Sequence, residues 1–316
     1  MEWRTRGNHH RKLPGLCALS ILCLILLSPV QSTAQVEHDD LAGVKVAVYN
    51  GAGVMESSRT ALTMMFEWMN VSVEFVNASQ ILEGFLNDFD ILVIPGGSES
   101  IACSELQYYE GVLKIQDFVN KGGSYFGICG GATYGANYLH LFNGSMRPLS
   151  EPGSLIHMTI MNVYQSPTGP DLSDIPESFA TMNYGSQYFL PDYESDVHVI
   201  ATYEYNNAAG MVVFKYGSGT VFLSSPHPEY EEDGNRDGTT FGDDLVDPDS
   251  EWPLLFRVTQ WLIEDSSEEP IDSTTTTARN SSDATRPLDI PMITVVSSGL
   301  VIVVVVVFIV YRKVRF

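Results

Sequence analysis

Tyr125-Phe126-Gly127-Ile128-Cys129-Gly130-Gly131-Ala132 is an apolar run that ends on a cysteine set among glycines. It reads as a buried strand turning sharply into a helix, with the thiol exposed by the tightness of the turn. Glycines at 127, 130 and 131 permit the strained dihedrals and close backbone approach that such a turn requires. A helix N-terminus after the cysteine brings partial positive charge near sulfur and favours thiolate, while the Gly130 N–H can face an oxyanion.

Working outward, the flanking pattern alternates. Val44 to Tyr49 is a short β-rich run ending in Asn50-Gly51-Ala52-Gly53, and Ser57 to Met69 is helical, with Leu62, Met65, Phe66 and Met69 at spacings of three and four. A strand follows over 71–76, a short helix over 78–86, and an apolar strand over 90–94 closed by Pro95-Gly96-Gly97. A helix over 110–120 ends at Lys121-Gly122-Gly123 and leads back into the cysteine strand. Near-continuous apolar strands alternating with helices predict a parallel sheet covered on both faces. Strand-like runs at 197–205, 210–216 and 220–224, the last two joined at Gly217-Ser218-Gly219, predict an appended hairpin, and 252–263 a closing amphipathic helix. Residues 44–266 make one domain, without an internal repeat.

The last of these strands leads to His227-Pro228-Glu229. In an extended segment residues two apart face the same side. Glu229 can then bond one ring nitrogen of His227 while the other faces Cys129, a nucleophile, base and orienter in the order a triad needs. Pro95-Gly96-Gly97 ends a neighbouring parallel strand, at the sheet edge where ligands bind. Gly97 and Gly130 are the expected oxyanion donors, with Gly96 a further candidate. Tyr184 and Tyr188 are candidate pocket residues, although core or hairpin packing explains such aromatics equally well.

Gly127-Ile128-Cys129-Gly130-Gly131, Pro95-Gly96-Gly97 and Pro226-His227-Pro228-Glu229 together resemble the class I glutamine amidotransferase-like superfamily. Within it the chain is most similar to the domain at the N-terminus of some eukaryotic biotin-protein ligases. Ala209 to Gly219, Met182-Asn183-Tyr184-Gly185 and Tyr188-Phe189 share that likeness, which covers about Val44 to Trp261. The resemblance implies a flavodoxin-like three-layer sandwich with a mostly parallel central sheet. It also implies Cys129 as nucleophile, His227 as general base, Glu229 as orienter, an amide substrate and no required cofactor. The sequence departs from the pattern in two places. Glutamine-using relatives carry Cys-x-Gly-x-Gln, whereas Thr133 stands at the last position here, where it would contact substrate. No Gly-Arg-Gly-Arg adenylate loop is present, so the chain is not itself a biotin ligase. Two expectations follow: a Cys-His-Glu hydrolase acting on a small-molecule or peptide amide, including γ-glutamyl bonds, or a binding module that keeps the cleft without turnover.

The ends of the chain predict an outward-facing, single-pass membrane protein. A basic start and an apolar run from Leu16 to Leu27, with small residues at Ser32 and Ala34, read as a signal peptide over 1–34. A short leader over 35–43 precedes the domain. A Ser/Thr-rich stalk over 267–291 leads to twenty uncharged residues at 292–311, enough to span about 30 Å of hydrocarbon as a C-terminal transmembrane helix. The basic tail over 312–316 then stays cytoplasmic. Net charge is −22 for the whole chain, and without 1–34 and 292–316 ten basic residues face thirty-eight acidic ones. That field repels nucleic acid. Asn70, Asn77, Asn143 and Asn280 lie in N-glycosylation triplets.

Cleavage of the leader leaves two cysteines, Cys103 and Cys129, which excludes a disulfide scaffold. Cys103 reads either as a buried free thiol or as a partner for Cys129 in an oxidising exterior. Asp233, Asn235 and Asp237 with Gly238 and Asp244 match the spacing of a calcium loop, an acidic solvated loop being the alternative. The same segment, coming just after Glu229, is also placed to form a lid.

Overall fold

The structure is a computed structural model that describes residues 41–193, 195–231, 236–247 and 249–266. The signal peptide, stalk, transmembrane and tail expectations, and with them Asn280, Asp233 and Asn235, lie outside the described residues. Among the described residues no helix is long and apolar enough to cross a membrane.

The first half alternates as the sequence predicts: β1 (Lys45–Tyr49), α1 (Glu56–Trp68), β2 (Ser72–Val76), α2 (Ala78–Glu83), a 3-10 turn (Phe85–Asp88), β3 (Ile91–Ile94), α3 (Glu99–Glu105), α4 (Tyr109–Asn120) and β4 (Ser124–Ile128). After Cys129 come α5 (Gly130–Thr133) and a π-helical turn (Tyr134–Tyr138). The second half is mainly strand: β5 (Gly144–Pro148), β6 (Ile156–Val163), β7 (Ser178–Tyr184), β8 (Gln187–Pro191), β9 (His198–Tyr203), β10 (Ala209–Tyr216) and β11 (Gly219–Ser224), closed by α6 (Trp252–Ser266).

Strand periodicity builds two cores from one sheet. Ala47, Tyr49, Leu92, Ile94, Tyr125, Val221 and Leu223 point into one face, against α2, α3, α4 and the π turn. Val46, Val48, Ile91, Val93, Phe126, Ile128 and Phe222 point into the other, against α1 and α6. Alternate residues of a strand face opposite ways, so fully apolar strands are what a sheet with two covered faces demands. The α1 face that packs here carries Leu62, Met65 and Phe66, at helical spacing. α2 starts on a capping box in which Asn77 and Gln80 bond each other's backbone N–H.

The strand order is β2-β1-β3-β4-β11-β10-β9-β6-β7, with β5 pairing β8 and β8 pairing β10. The first five strands are parallel and follow the flavodoxin-like order 2-1-3-4-5. The sheet as a whole is mixed rather than mostly parallel, which corrects one expectation. The hairpin at Gly217-Ser218-Gly219 forms as anticipated, with Tyr216 paired to Gly219. It continues, however, into antiparallel β9, β6 and β7, so the addition is a half-sheet. The triad strands β4 and β11 lie side by side where the parallel and antiparallel halves join.

Candidate active site

β4 ends at Ile128 and the backbone reverses at Cys129, which has φ 50° and ψ −108°. A positive φ at a residue other than glycine costs about 1–3 kcal/mol and persists only where its surroundings enforce it. Two bonds do so: the Cys129 N–H donates to the Ser224 carbonyl at 2.8 Å, and the Thr133 N–H donates to the Cys129 carbonyl at 2.9 Å. The glycines after it are a packing requirement. A Cβ on Gly130 would lie 2.1 Å from the Gly97 carbonyl oxygen, and one on Gly131 would lie 1.9 Å from that of Ile94. The elbow is thus pressed onto the end of β3, which brings the Pro95-Gly96-Gly97 loop beside the thiol. A small recess of about 10 Å³, lined by Pro95, Gly97, Ala102, Gly130 and Gly131 among others, lies behind this loop, and neither Cys129 nor His227 lines it.

His227 arrives from the other side. Its N–H donates to the Met182 carbonyl at 2.9 Å, tying the end of the β11 segment to β7. Pro228 and Glu229 then turn instead of continuing extended, which corrects the geometry expected from the sequence. The pairing itself forms: His227 Nδ1 lies 2.9 Å from Glu229 Oε1, and both side chains are fully buried. Nε2 has no hydrogen-bond partner among the described residues. The Cys129 thiol is the charge that acts on this ring besides Glu229, close enough to couple but outside formed hydrogen-bond geometry. A loose contact of this kind is common before substrate binds.

The electrostatics follow from that arrangement. Burial would raise the Cys129 thiol, but the neighbouring His227 charge, helped by the Gly130 N–H, holds it below the ordinary thiol value. Burial would lower His227, but the Glu229 carboxylate and the Cys129 sulfur push it well above the ordinary imidazole value. Both shifts favour a resting thiolate–imidazolium pair. Cys129 is only half-buried, so the pair is open to a reactant from the sulfur side.

One buried residue of this site went unread in the sequence. Ser58, on α1, accepts from the Gly96 N–H at 2.9 Å and donates to Glu229 Oε1 at 2.7 Å. The Gly96 amide is therefore engaged by Ser58, which leaves Gly97 and Gly130 as the candidate oxyanion donors. An ordinary helical serine carries no local signal for contacts 38 and 171 residues away.

The other candidates fall as follows. Thr133 is buried, and its Oγ1 accepts from Gln187 Nε2 at 3.0 Å. Tyr188 packs, like Cys129, at the margin of the core that α1 and α6 cover. The Tyr184 ring centroid lies 6.3 Å from that of His227. Phe241 stacks on Tyr184 at 6.1 Å and meets Tyr230 at 5.4 Å, so the segment after Glu229 does fold over the histidine side. Asp237 in that segment is buried and accepts from the Thr239 and Glu231 N–H groups, while Asp244 is exposed. Among the described residues no group of three or more His, Cys, Asp or Glu is arranged to hold a metal ion. Cys103 is a free thiol in the core under the opposite sheet face, so it forms no bridge with Cys129. Asn70, Asn77 and Asn143 are exposed.

A cysteine elbow backed by a buried His–Glu pair, on a 2-1-3-4-5 sheet with an antiparallel extension, is the arrangement expected from the resemblance to glutamine amidotransferase-like domains. Residues 44–147 match the family model described as biotin-protein ligase, N terminal, in line with the resemblance carried by the motifs. The chain is 26% identical over 221 residues to the biotin–protein ligase of Schizosaccharomyces pombe, an alignment covering 61% of this chain and 34% of that one. It is 30% identical over 157 residues to an uncharacterised protein of Chlamydia muridarum, covering 44% of this chain and 60% of the other. The match thus spans about a third of the ligase. A solved glutamine amidotransferase from Thermotoga maritima superposes with a TM-score of 0.47 at 15% identity, covering 72% of this chain and 99% of that one.

Proposed function

We propose that this protein is a cysteine hydrolase that cleaves an amide bond through a Cys129 thioester. The observation that carries the reading is geometric: Cys129 stands on a strained elbow with φ 50° beside a buried His227–Glu229 pair joined at 2.9 Å, whose Nε2 is left without a partner among the described residues. The Cys129 thiolate attacks the amide carbon, and negative charge collects on the carbonyl oxygen, facing the Gly97 and Gly130 amides. The carbon–nitrogen bond then breaks while His227 gives its Nε2 proton to the leaving nitrogen. Water next attacks the thioester and loses a proton to His227 Nε2, and the carbon–sulfur bond breaks to release a carboxylic acid and return sulfur to the thiolate. Glu229 keeps the ring proton on Nδ1, so the working nitrogen is always Nε2.

Thr133 favours a second reading, a binding module that retains the cleft without turnover, because it stands where glutamine-using relatives place the substrate-contacting glutamine. A panel of simple amides and γ-glutamyl peptides, assayed with wild type and Cys129→Ala, separates the two. Turnover by wild type alone supports the hydrolase, whereas equal rates exclude it and tight binding without turnover supports the module. The location belongs to the same proposal: an outward-facing domain held by the uncharged run at 292–311. Surface biotinylation of intact cells and a glycosidase-sensitive mass shift at the exposed Asn70, Asn77 and Asn143 are its expected signatures, and their joint absence would overturn it.

A further inference from the structure

Ser58 lies at the meeting point of three segments that sequence separates widely: α1, the Pro95-Gly96-Gly97 loop and the His227-Pro228-Glu229 turn. It is fully buried, as are His227 and Glu229. Its hydrogen bonding has one consistent direction. The Gly96 N–H can only donate, so Ser58 Oγ accepts there and directs its own proton to Glu229 Oε1. That oxygen then receives two donors, the Ser58 hydroxyl and His227 Nδ1–H, whereas Oε2 has no partner among the described residues. One carboxylate oxygen is held in place from both sides and the other is left bare. A carboxylate in a buried site turns towards whatever donors it has, so a fixed donor on Oε1 fixes the plane of the group.

We infer that Ser58 is a positioning residue that couples the oxyanion loop to the triad. It holds the Glu229 carboxylate on His227 Nδ1 while anchoring the Gly96 amide beside the thiol. The space supports this second role. A Cβ on Gly96 would fall 2.7 Å from His227 Cε1, 3.2 Å from Ser58 Oγ and 3.5 Å from Cys129 Cβ. The loop, the imidazole and the thiol are therefore packed around one point that Ser58 borders. A small loop displacement would reach the ring and the sulfur together. The inference rests on the hydrolase reading for its purpose, but its test reads protonation rather than turnover.

The test is an NMR titration of the His227 ring in the full-length chain, labelled selectively at histidine, for wild type, Ser58→Ala and Ser58→Cys. Thr63→Ala, which removes another α1 hydroxyl, one bonded to the Arg59 carbonyl, is the control. In wild type His227 stays protonated well above the ordinary imidazole range. In Ser58→Ala its titration falls by about one unit, a tenfold change in the protonation equilibrium. Ser58→Cys, close in volume but a weaker donor, falls between the two and keeps the test open should the alanine variant not fold. Thr63→Ala titrates like wild type. In a Glu229→Gln background Ser58→Ala adds no further shift, because the serine acts through that carboxylate. A folded Ser58 variant with His227 titrating as in wild type would overturn the inference, as would a full shift persisting without Glu229. Absence of amide turnover would count against the hydrolase and leave this result standing.

Discussion

Cys103 and Cys129 follow the ends of neighbouring parallel strands, yet they lie under opposite faces of the sheet and are driven in opposite directions. Cys103 lies on the buried face of α3, in the core that α2, α3 and α4 cover, where burial pushes its thiol up and no charge opposes it. Burial is also the largest influence on Cys129, and it acts in the same sense. The difference is His227, whose charge beside the sulfur outweighs desolvation and brings the second thiol down. Position at the sheet edge does not activate a thiol. A cation held in place by a buried carboxylate does.

The largest expected effect breaks the comparison outright. Cys129→Ala should remove turnover by at least about 10³-fold, since a nucleophile and its base act as one unit. Cys103→Ala should leave turnover within about twofold and lower stability by about 1 kcal/mol, seen as a small drop in Tm. Loss of activity in the Cys103 variant at unchanged Tm would mean that the wrong face of the sheet has been assigned.

Glu229→Gln removes the charge that raises His227, so the imidazolium is lost at lower pH and the reactive window closes from its alkaline side. Turnover at neutral pH should fall by about 10²-fold, which is within the range for loss of general acid–base assistance. A pH–rate profile unchanged in its alkaline limb would contradict the charge balance described here. A smaller effect is expected at the rim. Phe241 touches Tyr184 and Tyr230, the rings that flank His227. Phe241→Ala should raise KM a few-fold with kcat nearly unchanged. A fall in kcat alone would instead make the segment part of the chemistry.

The same contrast explains what could be read from the amino acids. β1, β3 and β4 announce themselves because both of their faces are buried, so each is a short apolar run, complete in β3 and after Lys45 and Ser124 in the other two. Cys129 is legible because its strained turn needs glycines at 130 and 131, for reasons of backbone contact with Gly97 and Ile94. The antiparallel half is quieter. Gly144–Pro148 carries an arginine and a proline, and Ile156–Val163 mixes half-buried and exposed positions. Such strands are set by their partners, which come from distant sequence, so a hairpin was visible and the half-sheet around it was not. His227 and Glu229 were found from their spacing, although a turn and not an extended segment unites them. Ser58 and Gln187 had no signal at all, since each acts through a hydrogen bond to a residue far along the chain.

The central claim is that Cys129 rests as a thiolate paired with imidazolium. Timed alkylation of the native protein with iodoacetamide across pH, with each cysteine located by peptide mass, tests it directly. The account predicts that Cys129 reacts with a midpoint below the ordinary thiol value of about 8.5, while Cys103 stays unmodified until the protein unfolds. Equal labelling of the two cysteines, or a Cys129 midpoint at or above that value, would contradict it.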